Sequence, residues 1–209
     1  MKNIKYLLCI VLSLLAINQT TSANNIVLTQ NQYTSGTGGE FHAVTSQNGT
    51  FQTFCVQPSV YFTPGNIYSY TLANSDSHGN PLSKGTALLF SEFSSGTLAG
   101  YNYTDANIRS YDAGLLQSAI WGLQFGNVVN NNPYYSYACN VLGNTVFDAN
   151  NGQYGVQIVQ LWAGNCEAQN QLISVPDSCS VLLLLSVSML VLLVIRYGLQ
   201  PTVGVVPAL

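Results

Sequence analysis

Charge is what this chain has least of. Of its 209 residues, five are Lys or Arg and eight are Asp or Glu, so 6% are charged, against roughly a quarter in ordinary soluble domains. So few cations exclude a nucleic-acid binder, because neutralising phosphates takes clustered Lys and Arg. The shortage does not mark a disordered polymer either, since 47% hydrophobic residues and 13 tyrosines suffice to build a core. No phosphate loop, zinc-ligand spacing or paired-carboxylate arrangement stands out, and no cofactor or metal is expected. Asp105 and Asp112 with Asn102 and Asn107 supply oxygen atoms but follow no EF-hand order. What is present in quantity is Asn, Gln, Ser, Thr, Gly and Tyr, a composition that points away from the cytoplasm.

Three of the five basic residues mark the ends. Lys2 and Lys5 precede an apolar run over 6–16, and Thr21-Ser22-Ala23 closes the polar stretch after it. A basic start, a short apolar segment and small residues at a cut site describe a secretory signal peptide, removed after residue 23. At the other end Val175-Pro176-Asp177-Ser178 leads into the uncharged run 181–195, and Arg196 follows. Fifteen residues fall short of the roughly 20 that cross a hydrocarbon core. Residues 178–180 and a snorkelling Arg196 extend the run towards a membrane anchor.

This tail resembles a PEP-CTERM-type protein-sorting signal in its Val-Pro-Asp-Ser-Gly form, over residues 175–196. The resemblance implies a bacterial protein that is exported and held in the inner membrane. A sorting protease of the exosortase kind then cuts it and releases it to the cell surface or extracellular matrix. Cys179 stands where that form carries Gly, and a tail of 13 residues, 197–209, follows Arg196.

Residues 24–174 then form one exported domain. Lys84 and Arg109 face seven carboxylates there, a net charge of −5 with both His neutral. Residues 40–45, 50–57 and 67–72 alternate aromatic and β-branched residues with polar ones, and Asn48-Gly49 and Pro64-Gly65 punctuate them. Residues 84–93 and 111–125 carry helical periodicity, the second with Leu116, Ile120 and Leu123 in phase, Asp112 as its cap and Gly126 as its stop. Residues 154–162 read as a strand. The expected fold is α+β: an antiparallel, barrel-like sheet with a pair of helices inserted together. Tyr101, Tyr103 and the run Tyr134-Tyr135-Ser136-Tyr137 are either packing residues or a sugar-stacking surface.

Cysteine supplies the sharpest clue. Cys9 leaves with the signal peptide and Cys179 belongs to the anchor, so the domain keeps Cys55, Cys139 and Cys166, an odd number for an oxidising compartment. Cys139 and Cys166 flank the last expected strand and are the candidates for a disulfide, leaving Cys55 over. Cys55 is then a small apolar core residue, half of a Cys-His pair with His42 or His78 that lacks any protease signature, or something else.

Phe54-Cys55-Val56 on a strand, with Leu116-Gln117-Ser118-Ala119-Ile120-Trp121 on a helix some 60 residues later, resembles the bacterial Cys-Gln thioester domain of surface adhesins, over about residues 38–162. The segment 113–121 is also similar to the equivalent stretch of many PEP-CTERM proteins. The resemblance implies an internal thioester between Cys55 and Gln117, made with loss of ammonia, with the sulfur beside the Gln117 carboxamide carbon. Trp121, one turn after Gln117, and Phe54 or Tyr111 would shield it from water. Lys84 and the new N-terminus are the domain's only amines, so the intended nucleophile is an amine or hydroxyl on a surface or matrix partner. The resemblance thus implies a single-use attachment device rather than a turnover enzyme. The alternative is a non-covalent matrix or glycan-binding module with an unreactive Cys55.

Overall fold

The computed structural model describes residues 24–35, 38–175 and 187–192. The leader (1–23), residues 176–178 of the sorting motif and the tail 197–209 lie outside them. Of the apolar run 181–195, residues 187–192 are described, and they are helical. Among the described residues no helix is long and apolar enough to cross a membrane.

The domain is α+β. Its strands are β1 (Asn25–Ser35), β2 (Gly38–Thr45), β3 (Gly49–Thr53), β4 (Ile67–Ala73), β5 (Val156–Ala163) and β6 (Cys166–Ser174). They form one antiparallel sheet in the order β3-β2-β1-β4-β5-β6. Between β4 and β5 the chain inserts α1 (Lys84–Ser94), α2 (Ala106–Phe125), α3 (Pro133–Leu142) and a short 3-10 turn, Gly143–Thr145. The expected pair of helices is thus joined by a third.

Local chemistry places most of these boundaries. Asn48-Gly49 makes the β2–β3 turn: Gly49 takes a left-handed φ of 67°, and the Asn48 N–H donates to Thr45 Oγ1 at 2.8 Å. Ser83 caps α1, its hydroxyl accepting from the Thr86 N–H. Asn132 caps α3, with Pro133 in the first turn, where a missing N–H costs nothing. For α2 the expected cap is corrected. Asp105, not Asp112, accepts from the N–H groups of Asn107 and Ile108, so the helix begins five residues before 111. Asp112 lies buried inside it and accepts from the Asn102 N–H at 2.8 Å. Asp105→Ala is therefore expected to lower stability by about 1 kcal/mol, read as a shift of the denaturation midpoint.

Two apolar clusters hold the layers together. One lies between helices and sheet and gathers Phe54, Leu89, Phe90, Leu116, Ile120 and Tyr134. The other belongs to the sheet, where Ile26, Leu28, Tyr68, Tyr70, Val159 and Leu161 meet. Burying each such side chain contributes roughly 1.5–3 kcal/mol. The tyrosines considered for sugar stacking are part of this packing: Tyr101 and Tyr134 are buried, and Tyr101 meets Phe93 edge-on at 5.1 Å.

The expected barrel is not closed. The outer strands, β3 and β6, approach each other at a seam just past β3. There Cys55 bridges Gln171, the Val56 N–H donates to the Asn170 carbonyl at 2.8 Å, and the Leu172 N–H donates to the Phe54 carbonyl at 3.1 Å. Along the rest of their length the edges diverge around a cavity of about 670 Å³ lined by Thr50, Gln52, Phe90, Arg109 and Ile173. Cys55 thus sits where the sheet comes nearest to closing.

Candidate functional site

Two elements meet at the seam. The extended segment after β3 carries Cys55, and the middle of α2 carries Gln117. Both residues are almost wholly buried, at 1% and 2% exposure. The Gln117 carboxamide docks on the Cys55 main chain with both of its polar atoms. Oε1 accepts from the Cys55 N–H at 3.0 Å, and Nε2 donates to the Cys55 carbonyl at 2.7 Å. A third bond comes from β2, where the Gly39 N–H donates to Oε1 at 3.4 Å. The residues 62 positions apart are therefore brought together, with the carboxamide against the main chain of Cys55.

The thiol has its own partners. Consecutive residues of an extended segment point to opposite faces, so Phe54 and Val56 enter the helix-facing core while Cys55 Sγ meets β6. It donates to Gln169 Oε1 at 3.0 Å, and Gln171 Nε2 donates to it at 3.5 Å. Burial pushes the thiol from 9.0 up to about 12, and the Gln171 hydrogen bond opposes the rise. At neutral pH it is a protonated, unexposed thiol. Neither His42 nor His78 is among its hydrogen-bond partners, and neither is Gln117. The sulfur, expected beside the Gln117 carboxamide carbon, is turned to β6, and the carboxamide meets the Cys55 main chain instead.

Of the expected shields, Trp121 lies against Gln117. A methyl group built on Gly38 would fall 3.1 Å from Trp121 Cη2 and 2.7 Å from Gln117 Cγ, so the two side chains share one wall. The Trp121 indole N–H is buried and has no hydrogen-bond partner among the described residues. Phe54 is fully buried, but under the segment, with its ring edge-on to Phe93 at 4.9 Å. Tyr111 is 68% exposed and shields nothing. It precedes Gln117 by six residues, which places it roughly 120° around the helix.

The expected Cys139–Cys166 disulfide is absent; Cys55, Cys139 and Cys166 are all free thiols. Cys139 lies on α3, packed against the helix-facing core. Cys166 is exposed at the start of β6, paired across the hairpin with Ala163. The two sit on different layers of the fold.

Sequence reasoning missed the amides of β6 and the glycines of β2. Beyond Cys55, Gln57 binds the Asn170 N–H through Oε1 and Glu167 through Nε2. Ser77 joins Glu167 and Asn170, and His78 lies 3.6 Å from Glu167. Gln169 Nε2 donates to the Gln57 carbonyl at 2.6 Å. This network locks β6 onto the segment 55–57 from the side opposite α2. The Gly38-Gly39 doublet inside a strand was the available signal, since glycine there marks a close backbone approach. Comparisons with protein-family models, with curated proteins and with solved structures return no match.

Proposed function

We propose that this chain is an exported surface or matrix protein whose domain forms a Cys55–Gln117 thioester and uses it once, to attach covalently to a partner bearing amines or hydroxyls. The observation that carries the reading is the docked Gln117 carboxamide. A primary amide is a poor electrophile, and condensation needs both groups held together in one orientation. A carboxamide at 2% exposure, pinned through both polar atoms to the main chain of Cys55, supplies the held electrophile. The thiol, bonded to Gln169 and Gln171 on β6, must leave them and turn to Gln117 for the bond to form. In the reaction the Cys55 sulfur adds to Gln117 Cδ and the carbon–nitrogen bond breaks. The nitrogen leaves as ammonia with the thiol proton. A partner amine later adds to the same carbon and expels the Cys55 thiolate, leaving an amide at Gln117.

Export and anchoring rest on the sequence alone: the leader 1–23, the motif Val175-Pro176-Asp177-Ser178 and the apolar run before Arg196. With Lys84 the sole lysine of residues 24–174, and its ammonium 3.6 Å from the Asp148 carboxylate, the domain offers few amines of its own.

The intact mass of the exported chain tests the reading. It is expected to fall one ammonia below the processed sequence, after allowance for any disulfide hydrogens. Cys55→Ala and Gln117→Ala should each abolish the deficit, and methylamine should abolish it in the wild type by adding at Gln117 and freeing one thiol. A wild type of full mass with a titratable Cys55 would end the thioester reading and leave a non-covalent matrix or glycan-binding module.

A further inference from the structure

The three hydrogen bonds on the Gln117 carboxamide differ in what they can do. The one from Nε2 to the Cys55 carbonyl fixes the amide plane and holds the atom that must depart. The other two converge on Oε1, the atom on which negative charge develops when a nucleophile adds to Cδ. Two fixed N–H groups aimed at a developing oxyanion in a buried site form the arrangement that lowers the barrier of acyl transfer. From this geometry we infer that the main-chain N–H groups of Gly39 and Cys55 are the oxyanion hole of the Cys55–Gln117 acyl centre, and that Gly38 is the positioning residue that sets it. The inference rests on the thioester reading proposed above.

The hole is built by backbone conformation. Gly38 and Gly39 adopt φ values of 140° and 111°, in the region that residues bearing a Cβ rarely enter. This lets β2, still paired with β1 at Thr34 opposite Gly39, turn the Gly39 N–H onto Gln117. Gly38 also clears the space, because a Cβ there would stand 2.7 Å from Gln117 Cγ and 3.2 Å from its Cδ. Gly39 N lies 3.4 Å from Oε1 before reaction. Catalytic hydrogen bonds are often long in the resting state and tighten as the transition state forms. The same buried amide bonds explain why the hole serves both directions of acyl transfer. When sulfur adds to Cδ, the carbonyl electron pair moves onto Oε1, and its return expels ammonia. When an amine adds to the thioester, the pair again moves onto Oε1, and its return expels the Cys55 thiolate.

The test uses the exported full chain as wild type, Gly38→Ala and Gly49→Ala. Gly49 is the control because it also has a positive φ, 67°, but nothing lies within 4 Å of the added methyl. The first measurement is the rate at which methylamine consumes the thioester, followed by mass. Gly38→Ala is expected to slow it about a hundredfold, with Gly49→Ala close to wild type. The second needs no variant: the infrared carbonyl stretch of the wild-type thioester, isolated by carbon-13 labelling of glutamine. It should lie below that of the same thioester in the denatured chain, because two N–H donors weaken the bond, and Gly38→Ala should shift it upward. A wild-type thioester whose stretch does not change on denaturation, or whose aminolysis Gly38→Ala leaves within a few-fold, overturns the oxyanion hole while leaving the thioester standing. A wild type of full mass overturns both.

Discussion

Arg109→Met is expected to lower the stability of the domain by about 3–5 kcal/mol, the cost of leaving a buried charge without its partner. The stranded group is Glu40 on β2, whose side chain is wholly buried. Arg109, in the first turn of α2, meets it as a fork: Nε donates to Oε2 at 2.9 Å and Nη2 to Oε1 at 2.5 Å. The Tyr101 hydroxyl completes the set on Oε2 at 3.0 Å. The guanidinium is held further by the Tyr103 carbonyl at 2.8 Å and lies over the Tyr33 ring, 4.3 Å from its centre. A planar fork with this many fixed partners is not replaceable by Lys, so Arg109→Lys should recover only part of the loss. Arg109→Met with Glu40→Leu should recover most of it, because a buried pair often has little net worth against an apolar one. Urea denaturation at neutral pH reads all four proteins, and a loss below 1 kcal/mol for Arg109→Met would mean that Glu40 finds water or another donor.

The pair also bears on the site. Glu40 adjoins Gly39, and Arg109 and Gln117 lie two turns apart on α2. The ion pair and the Gly39–Gln117 hydrogen bond therefore join the same two elements. The few charges of the domain do unequal work: this pair fixes α2 on β2, whereas Lys84 and Asp148 meet half in solvent at 3.6 Å.

How much of this was legible depends on which residues fill buried positions. β4 and β5 show in the sequence because their buried positions are apolar or aromatic, as with Tyr68 and Tyr70 on β4. β2 and β3 show by their alternation about the Asn48-Gly49 turn. β1 is not among the expected strands, although Ile26 and Leu28 on it are buried. β6 does not show, because its buried centre reads Gln169-Asn170-Gln171. Those amides satisfy the seam instead of filling a core, and hydrophobic periodicity cannot see that. α3 was hidden by its tyrosines, although Asn132-Pro133 is a helix start. Gln117 was marked by resemblance alone, since its helix position by itself reads as packing. The Glu40–Arg109 pair, 69 residues apart, leaves no local pattern at all.

The second large effect concerns Cys55 at alkaline pH, in a chain that cannot form the thioester. In Gln117→Ala the thiol stays free, and the Gln169 and Gln171 contacts that cover it on the β6 side remain. An unfolded chain releases the thiol proton near the ordinary value of 9.0, whereas the folded chain holds it up to about 12. Below the first value both states are protonated, and the group contributes no pH dependence. Between the two values the unfolded state binds fewer protons, so stability falls as pH rises. The slope is about 1.4 kcal/mol per pH unit, and the stabilisation present below pH 9.0 is spent by about pH 12. Buried tyrosines impose a slope of the same sign, because burial also pushes the Tyr101 and Tyr134 hydroxyls up. The measurement is therefore a difference: the denaturation free energy of Gln117→Ala minus that of Gln117→Ala with Cys55→Ala, from about pH 8 to pH 11. That difference should fall steadily above about pH 9, while the wild type, its sulfur already acylated, should show no such loss against Cys55→Ala. Parallel curves for the two Gln117→Ala proteins would mean that water reaches the thiol, and a thiol that water reaches is no place to keep a thioester.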